Sequence, residues 1–339
     1  MRRIVATAGI AVIAVLSFSA CAPRVAPPGP GPTTPQLLDS QFQTSDGLNL
    51  PVRKWTPETD PTGVVLAVHG FNDYSKSFDV VPGAPGVGPT LAAQGYVVFA
   101  YDQRGFGDAP HAGLWPGKDV LSADFADFIH ILDQTYPTLP VYALGVSMGG
   151  AVITAAMTSS TPPPADAIVL VAPAVWSRDT MPLAYSVSLW FGAHLFPGAK
   201  PSGRGLGRRA SDNIEMLRDN SRDPLFIKET RIDSIYGLTN LMDQAQQSVA
   251  RLSTPTLYLY GAKDQIIPKN ATASALEKFL NEASNRRLAF YENGWHMMLR
   301  DLQADTVLSD IARYFDDQAA FLPSGADMEA FDRLKAAGK

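Results

Sequence analysis

Short, mainly apolar runs recur along the chain at Val64–Val68, Tyr96–Tyr101, Val141–Leu144, Ala167–Ala172, Thr256–Tyr260 and Arg287–Tyr291. Runs of four to six residues without polar alternation predict strands buried on both faces, hence a largely parallel sheet. Between them lie segments with helical periodicity, at Pro89–Gln94, Ser122–Tyr136, Met148–Thr158, Thr272–Ala283 and Asp305–Phe315. Strand and helix therefore alternate, the pattern of an open, doubly wound α/β sheet. Ahead of it, Gln41–Thr44 and Leu48–Trp55 flank Asp46-Gly47 and read as a hairpin.

One interval breaks the alternation. From Pro173 to Leu252 no strand pattern occurs, and the stretch Met181–Phe196 is strongly apolar. Residues 174–250 are expected to form an inserted helical cap. Its apolar side chains either glue the cap to the core or line a cleft as well, and Trp190 is a candidate acyl contact.

The N-terminus follows a different rule. Arg2 and Arg3 precede the apolar stretch Ile4–Phe18, and small residues lead to Cys21, the sole cysteine. That order of charge, apolar core and small residues is a secretory signal, residues 1–21, and it is too short for a confident membrane span. Leu16-Ser17-Phe18-Ser19-Ala20-Cys21 resembles the lipobox of bacterial lipoproteins, in which the cysteine carries lipid. The alternative is ordinary cleavage and a soluble product. From Pro23 to Pro35, eight of thirteen residues are Pro or Gly, so residues 22–38 are expected to be an extended tether. The core is expected over 39–173 and 251–320, with 321–339 as a C-terminal tail.

Composition narrows the chemistry. Apolar residues make up 46% and charged residues 18% of the 339, and the net charge is −5 with no long basic run. Nucleic acid is not an expected partner. His69, His111, His130, His194 and His296 are scattered without metal-ligand spacing, so neither a metal nor another cofactor is expected.

Gly145-Val-Ser-Met-Gly149 stands between an apolar strand and a helix. In that setting Gly-x-Ser-x-Gly is a nucleophile elbow: a strained turn lifts the serine hydroxyl above the sheet, and the glycines let strand and helix approach. A serine needs a base to take its proton and an acid to orient that base. Asp264 and His296 each lie just past a later strand, in the chain order Ser, acid, His. His69-Gly70-Phe71 follows the Val64–Val68 strand, where the second oxyanion donor belongs, so the N–H groups of Phe71 and Met148 are assigned to that hole. His69, outside the triad order, is expected to be structural.

With His69-Gly-Phe-Asn-Asp-Tyr-Ser75, Tyr101-Asp-Gln-Arg-Gly-Phe-Gly107, Gly145-Val-Ser-Met-Gly-Gly150, Gly261-Ala-Lys-Asp264 and Gly294-Trp-His296, the chain resembles the α/β hydrolases of the monoacylglycerol lipase, lysophospholipase and serine-aminopeptidase-like branch. The resemblance implies the α/β-hydrolase fold with a cap and extends over roughly Gln41 to Phe315. It departs at Val146 and in the Gln103–Phe106 stretch, where the branch favours histidine, and at Asp73-Tyr74, where the branch has Glu-His. By resemblance, Asp73 is a candidate contact to the alcohol part of a substrate.

The expected function is hydrolysis of carboxylic esters through an acyl-enzyme, on a monoacylglycerol, a lysophospholipid or a similar lipid. Peptidase, thioesterase and acyltransferase chemistry use the same machinery, and a non-enzymatic binding protein of the envelope is the alternative from another class. The expected location is a bacterial envelope, anchored through Cys21, and by resemblance to Gram-negative sorting rules Ala22 favours the outer membrane if the host has one; the alternative is a secreted or periplasmic protein.

Overall fold

A computed structural model describes residues 22–201, 207–280 and 285–337. The expected signal segment, Cys21 included, lies outside them, as does the end of the helix expected at Thr272–Ala283.

Nine strands form one sheet in the order β1-β2-β3-β5-β4-β6-β7-β8-β9. They are β1 (Gln36–Leu37), β2 (Gln41–Gln43), β3 (Asn49–Trp55), β4 (Gly63–Val68), β5 (Tyr96–Tyr101), β6 (Val141–Val146), β7 (Ala167–Val171), β8 (Thr256–Gly261) and β9 (Arg286–Tyr291). The first three pair antiparallel, and so does β3 with β5; every pairing from β5 through β9 is parallel. The expected hairpin forms with Gln43 opposite Asn49, and Gly47 takes the positive φ of 85° that its turn requires.

Unbroken apolar strands have the expected cause. All six residues of β4 are buried. Val64, Leu66 and Val68 enter one core, while Val65 and Ala67 enter the other, across the sheet. The first core is closed by α2 (Lys118–Thr135), α3 (Met148–Met157) and α7 (Lys269–Phe279). The second is closed by α1 (Val87–Ala93) and α8 (Ala304–Asp316). Between β7 and β8 lie α4 (Leu183–Leu195), α5 (Ile214–Arg222) and α6 (Ile232–Ser248). Helix α6 anchors this insertion, burying Leu241, Met242 and Ala245 in the first core, whereas α4 buries only Ala193.

Two terminal expectations need correction. The Pro/Gly segment is not a free spacer. Ala26 N–H donates to the Trp115 carbonyl at 2.8 Å, Gly31 and Thr33 N–H donate to the Asp46 and Ser45 carbonyls, and Gly29 N–H donates to Asp46 Oδ2 at 2.7 Å. Proline removes donors, so the few that remain suffice to fix the strap, and β1 extends the sheet beyond the expected hairpin. Asp46 is held in turn by both terminal nitrogens of Arg104 at 2.6 Å, whose guanidinium keeps that carboxyl far below the usual range. The C-terminal tail is also part of the fold. Ala326 accepts from Phe290 N–H on β9 at 2.8 Å, and α9 (Ala330–Ala337) buries Ala330 and Leu334 in the first core.

Candidate active site

Ser147 sits between β6 and α3 with φ 51° and ψ −113°, a conformation that L side chains rarely adopt. The flanking glycines are required by contact. A Cβ on Gly149 would lie 2.1 Å from the Val68 carbonyl oxygen, and one on Gly145 would lie 2.6 Å from the Gly149 backbone. Ser147 is further fixed by its own N–H to the Val171 carbonyl and by Ala174 N–H on its carbonyl, both 2.9 Å.

The turn after β8 presents Asp264 as a buried acid. Its Oδ1 accepts the N–H groups of Ile266 and Ile267 at 2.7 and 3.0 Å, and its Oδ2 meets His296 Nδ1 at 2.8 Å. Donation of the Nδ1 proton to this carboxylate leaves Nε2 as the base-competent nitrogen. The two loops approach because Gly261 lacks a side chain: a Cβ there would stand 2.3 Å from the Gly294 carbonyl oxygen. Ser147 and His296 line one cavity of about 520 Å³. The structure thus brings the three sequence-predicted residues to one place.

Phe71 lines the same cavity, and its loop passes against Ser147: a Cβ on Gly70 would be 3.4 Å from the serine Cβ. Met148 opens α3, where the first backbone N–H groups have no acceptor within the helix. His69 is wholly buried. Its Nε2 accepts from Gln103 N–H at 2.9 Å and its Nδ1 faces the Gly70 carbonyl at 2.8 Å, a pattern only the neutral ring fulfils. Burial lowers its pKa accordingly. Gln103 Nε2 returns a bond to the His69 carbonyl at 2.8 Å, so the Gln103 side chain braces the oxyanion loop.

The two expected substrate contacts are placed differently. Asp73 lines the cavity, yet its Oδ2 is paired with Arg300 and its Oδ1 accepts Tyr74 N–H at 2.9 Å. Arg300, four residues after His296, escaped the sequence reading. Trp190 does not line the cavity. It is 47% exposed and stacks on His194 at 4.3 Å. The residues of this segment that do line it are Met181, Tyr185 and Leu189. Tyr185 and Leu189, four residues apart, share one face of α4, Met181 precedes the helix, and Trp190, one residue past Leu189, is turned about 100° away. On α6, Ile235, Leu238, Thr239 and Met242 complete the apolar wall at i, i+3, i+4 and i+7. That periodicity was legible; which face met the cavity was not.

A segment of the insertion also grips the histidine loop. Ala210 accepts Met297 N–H at 2.9 Å, Asn213 Nδ2 donates to the Arg300 carbonyl at 2.9 Å, and Arg209 N–H donates to Gln265 beside Asp264 at 2.8 Å. Asp301 Oδ2 accepts Trp295 N–H at 2.8 Å, and burial pushes its carboxyl up to about 6. No group of three or more metal-ligating side chains occurs among the described residues.

The profile of the family described as serine aminopeptidase, S33, matches residues 59–303. A monoacylglycerol lipase of Mycolicibacterium smegmatis is 27% identical over 286 residues, 81% of this chain and 96% of that protein. A monoglyceride lipase of Mus musculus is 25% identical over 313 residues, 86% and 96% of the two chains. Among solved structures, a soluble variant of the Saccharomyces cerevisiae monoglyceride lipase in complex with a substrate analog superposes with a TM-score of 0.67 at 18% identity, covering 87% of this chain and all of that one. At that identity the likeness shows the fold alone, and the fold is that of the α/β hydrolases.

Proposed function

Since this chain belongs to the serine aminopeptidase S33 family of α/β hydrolases, we propose that Ser147 is its acylated nucleophile, His296 the general base and Asp264 the acid that orients it. The protein is a lipid ester hydrolase. In the reaction His296 Nε2 takes the Ser147 proton as Oγ attacks the ester carbonyl. The N–H groups of Phe71 and Met148 receive the oxyanion, the protonated imidazole hands its proton to the departing alcohol, and water then repeats the sequence on the acyl-enzyme.

The observation that carries the substrate reading is the cavity wall. Its lining includes Trp176, Met181, Tyr185, Leu189, Leu238 and Met242, an apolar stretch that suits a single acyl chain, and a monoacylglycerol is the favoured substrate. An aminopeptidase needs an acid to hold the substrate ammonium, but Asp73, the carboxylate on this wall besides the triad, is neutralised by Arg300. A fluorophosphonate probe should label the wild type and not Ser147→Ala, and the wild type should hydrolyse monoacylglycerol in preference to aminoacyl anilides. Labelling that survives Ser147→Ala sinks the nucleophile assignment, and preferred anilide turnover sinks the substrate class.

The same reading keeps Cys21 as a lipid-bearing residue after cleavage of a signal peptide, and places the enzyme on a bacterial membrane. Support lies in the lipobox-like residues before Cys21. Palmitate incorporation lost in Cys21→Ser is the expected result; a fully soluble, unlabelled wild type overturns it.

A further inference from the structure

Trp115 is buried where three parts of the chain meet. Its ring stands 6.3 Å, centroid to centroid, from that of Phe71. Phe106 holds the same Phe71 ring edge-on at 5.6 Å and meets His69 at 5.7 Å. Phe71 is thus braced by two aromatic neighbours at separations such pairs favour. Helix α6 closes on Trp115 from the insertion. A Cβ on Gly237 would stand 2.3 Å from Trp115 Cδ1, and Ser234 Oγ donates to the Gly113 carbonyl at 3.0 Å.

The N-terminal strap supplies the third contact. Val25 forms a parallel bridge with Trp115, and Ala26 N–H donates to the Trp115 carbonyl at 2.8 Å. Arg24 N–H donates to Asp233 Oδ2 at 3.2 Å, in the first turn of α6. That carboxylate is buried and is also paired with Arg231. Residues 24–26 therefore join the core to the insertion at Trp115. Further along, Gly29 N–H is held by Asp46 Oδ2 at 2.7 Å, so the strap cannot slide. A plain spacer needs none of these bonds.

We infer that residues 24–26 are a brace of the oxyanion hole, with Trp115 as the positioning residue through which they act on Phe71. The inference rests on the assignment of the Phe71 N–H as an oxyanion donor. Such a donor accelerates reaction only when it is already aimed at the place where charge develops. The strap fixes the Trp115 backbone, Gly237 sets how near α6 comes to its ring, and the ring limits the motion of Phe71. Trp115 does not line the catalytic cavity, so loosening it should spare substrate binding and slow turnover. Losing a whole oxyanion donor costs about 10²–10³ in kcat, and a donor kept but less well aimed should cost roughly tenfold.

The test compares the full-length protein with Ala26→Pro, Gly237→Ala, Trp115→Ala and Trp115→Phe, on p-nitrophenyl butyrate and against an alkyl trifluoromethyl ketone. Ala26→Pro deletes the donor to the Trp115 carbonyl, and Val25 already sits in a β-bridge, the extended form that a following proline demands. Gly237→Ala pushes the Trp115 ring without touching the strap. The ketone reports the hole itself: Ser147 Oγ bonds to its carbonyl carbon, the Oγ proton passes to His296 Nε2, and the carbonyl oxygen becomes the oxyanion. Ala26→Pro, Gly237→Ala and Trp115→Ala should each lower kcat roughly tenfold with KM within about twofold, and weaken the ketone by the same factor. Trp115→Phe keeps an aromatic ring against Phe71 and should hold both within about threefold of wild type. Adding Ala26→Pro to Trp115→Ala should cost no further kcat, because the strap acts through that ring. If Trp115→Ala does not fold, Ala26→Pro and Gly237→Ala decide. Wild-type kcat in those two folded variants overturns the proposal. So does a lowered Tm with ketone affinity kept, or an additive loss in the double variant. Phe71→Pro deletes the assigned donor and reads the hole separately. Wild-type kcat there rejects the oxyanion assignment; kcat lost there but kept in the strap variants rejects the brace alone.

Discussion

Ser211 Oγ donates to Asp301 Oδ1 across 2.5 Å, joining the inserted helical segment to the loop that carries His296. Asp301 passes the restraint on through the N–H of Trp295, the residue before the histidine. With His296 as the general base, Ser211 is expected to act on catalysis as a positioning residue, by way of Asp301. A hydrogen bond to a charged group contributes about 1.5–3 kcal/mol. If part of that is felt only at the transition state, Ser211→Ala should lower kcat roughly tenfold with KM within about twofold. A wild-type kcat in a folded Ser211→Ala protein would remove the coupling.

The same acid gives a pH dependence. The carboxyl of Asp301 ionises near 6 when folded, chiefly because burial disfavours its charged form, against an ordinary value of 3.8. The folded state then holds a proton that the unfolded state has released. The stability this confers is full below about 4 and is lost as pH rises through about 6, by on the order of 3 kcal/mol. Asp301→Asn cannot titrate. The difference in Tm between wild type and Asp301→Asn should therefore shift in the variant's favour from pH 4 to pH 7, and a constant difference across that interval would contradict the assignment.

Removing the base should be near-total. His296→Ala is expected to lower kcat by roughly four to six orders of magnitude, because members of a triad fail together. Asp264→Asn should cost about 10⁴ by presenting the wrong tautomer of His296. Steady-state turnover of a p-nitrophenyl ester measures both, and near-normal activity in folded His296→Ala would falsify the mechanism.

The cavity wall predicts chain-length selection. Each added methylene buried there is worth about 0.8 kcal/mol, so four more carbons raise kcat/KM by roughly a hundredfold where the gain persists in the transition state. Leu189→Trp, which narrows the cavity, should move the optimum to shorter esters. Trp190→Ala should leave the series unchanged, since its ring faces away from the cavity.

The strap has an energetic consequence. Asp46 accepts from Gly29 N–H, Thr44 Oγ1 and both terminal nitrogens of Arg104. Arg104 keeps Asp124 as a second partner, and Asp46 is 31% exposed, so the loss in Asp46→Ala should fall near the low end for a buried pair, about 3 kcal/mol. Denaturant unfolding measures it. Unchanged stability would mean that the strap contributes nothing to the fold.

Sequence alone determined the layered sheet, the strained turn at Ser147 and the placement of Asp264 and His296 just past later strands. Strand burial is written in unbroken apolar runs, and a nucleophile turn needs glycine where Val68 and Gly149 nearly touch; both are local requirements. What it left open depends on partners far along the chain. Arg300 pairs with Asp73 across 227 positions, and no spacing encodes a contact of that kind. The Pro/Gly segment carries the composition of a spacer, because composition reports what a segment lacks for making its own core. It cannot report that the turn at Asp46 and the Trp115 carbonyl supply acceptors for the donors that remain. Trp190 and Leu189 are adjacent and both apolar, so hydropathy ranks them alike. Only the packing of α4 on α6 decided that one faces the catalytic cavity and the other faces outward, since a helix turns its neighbours 100° apart.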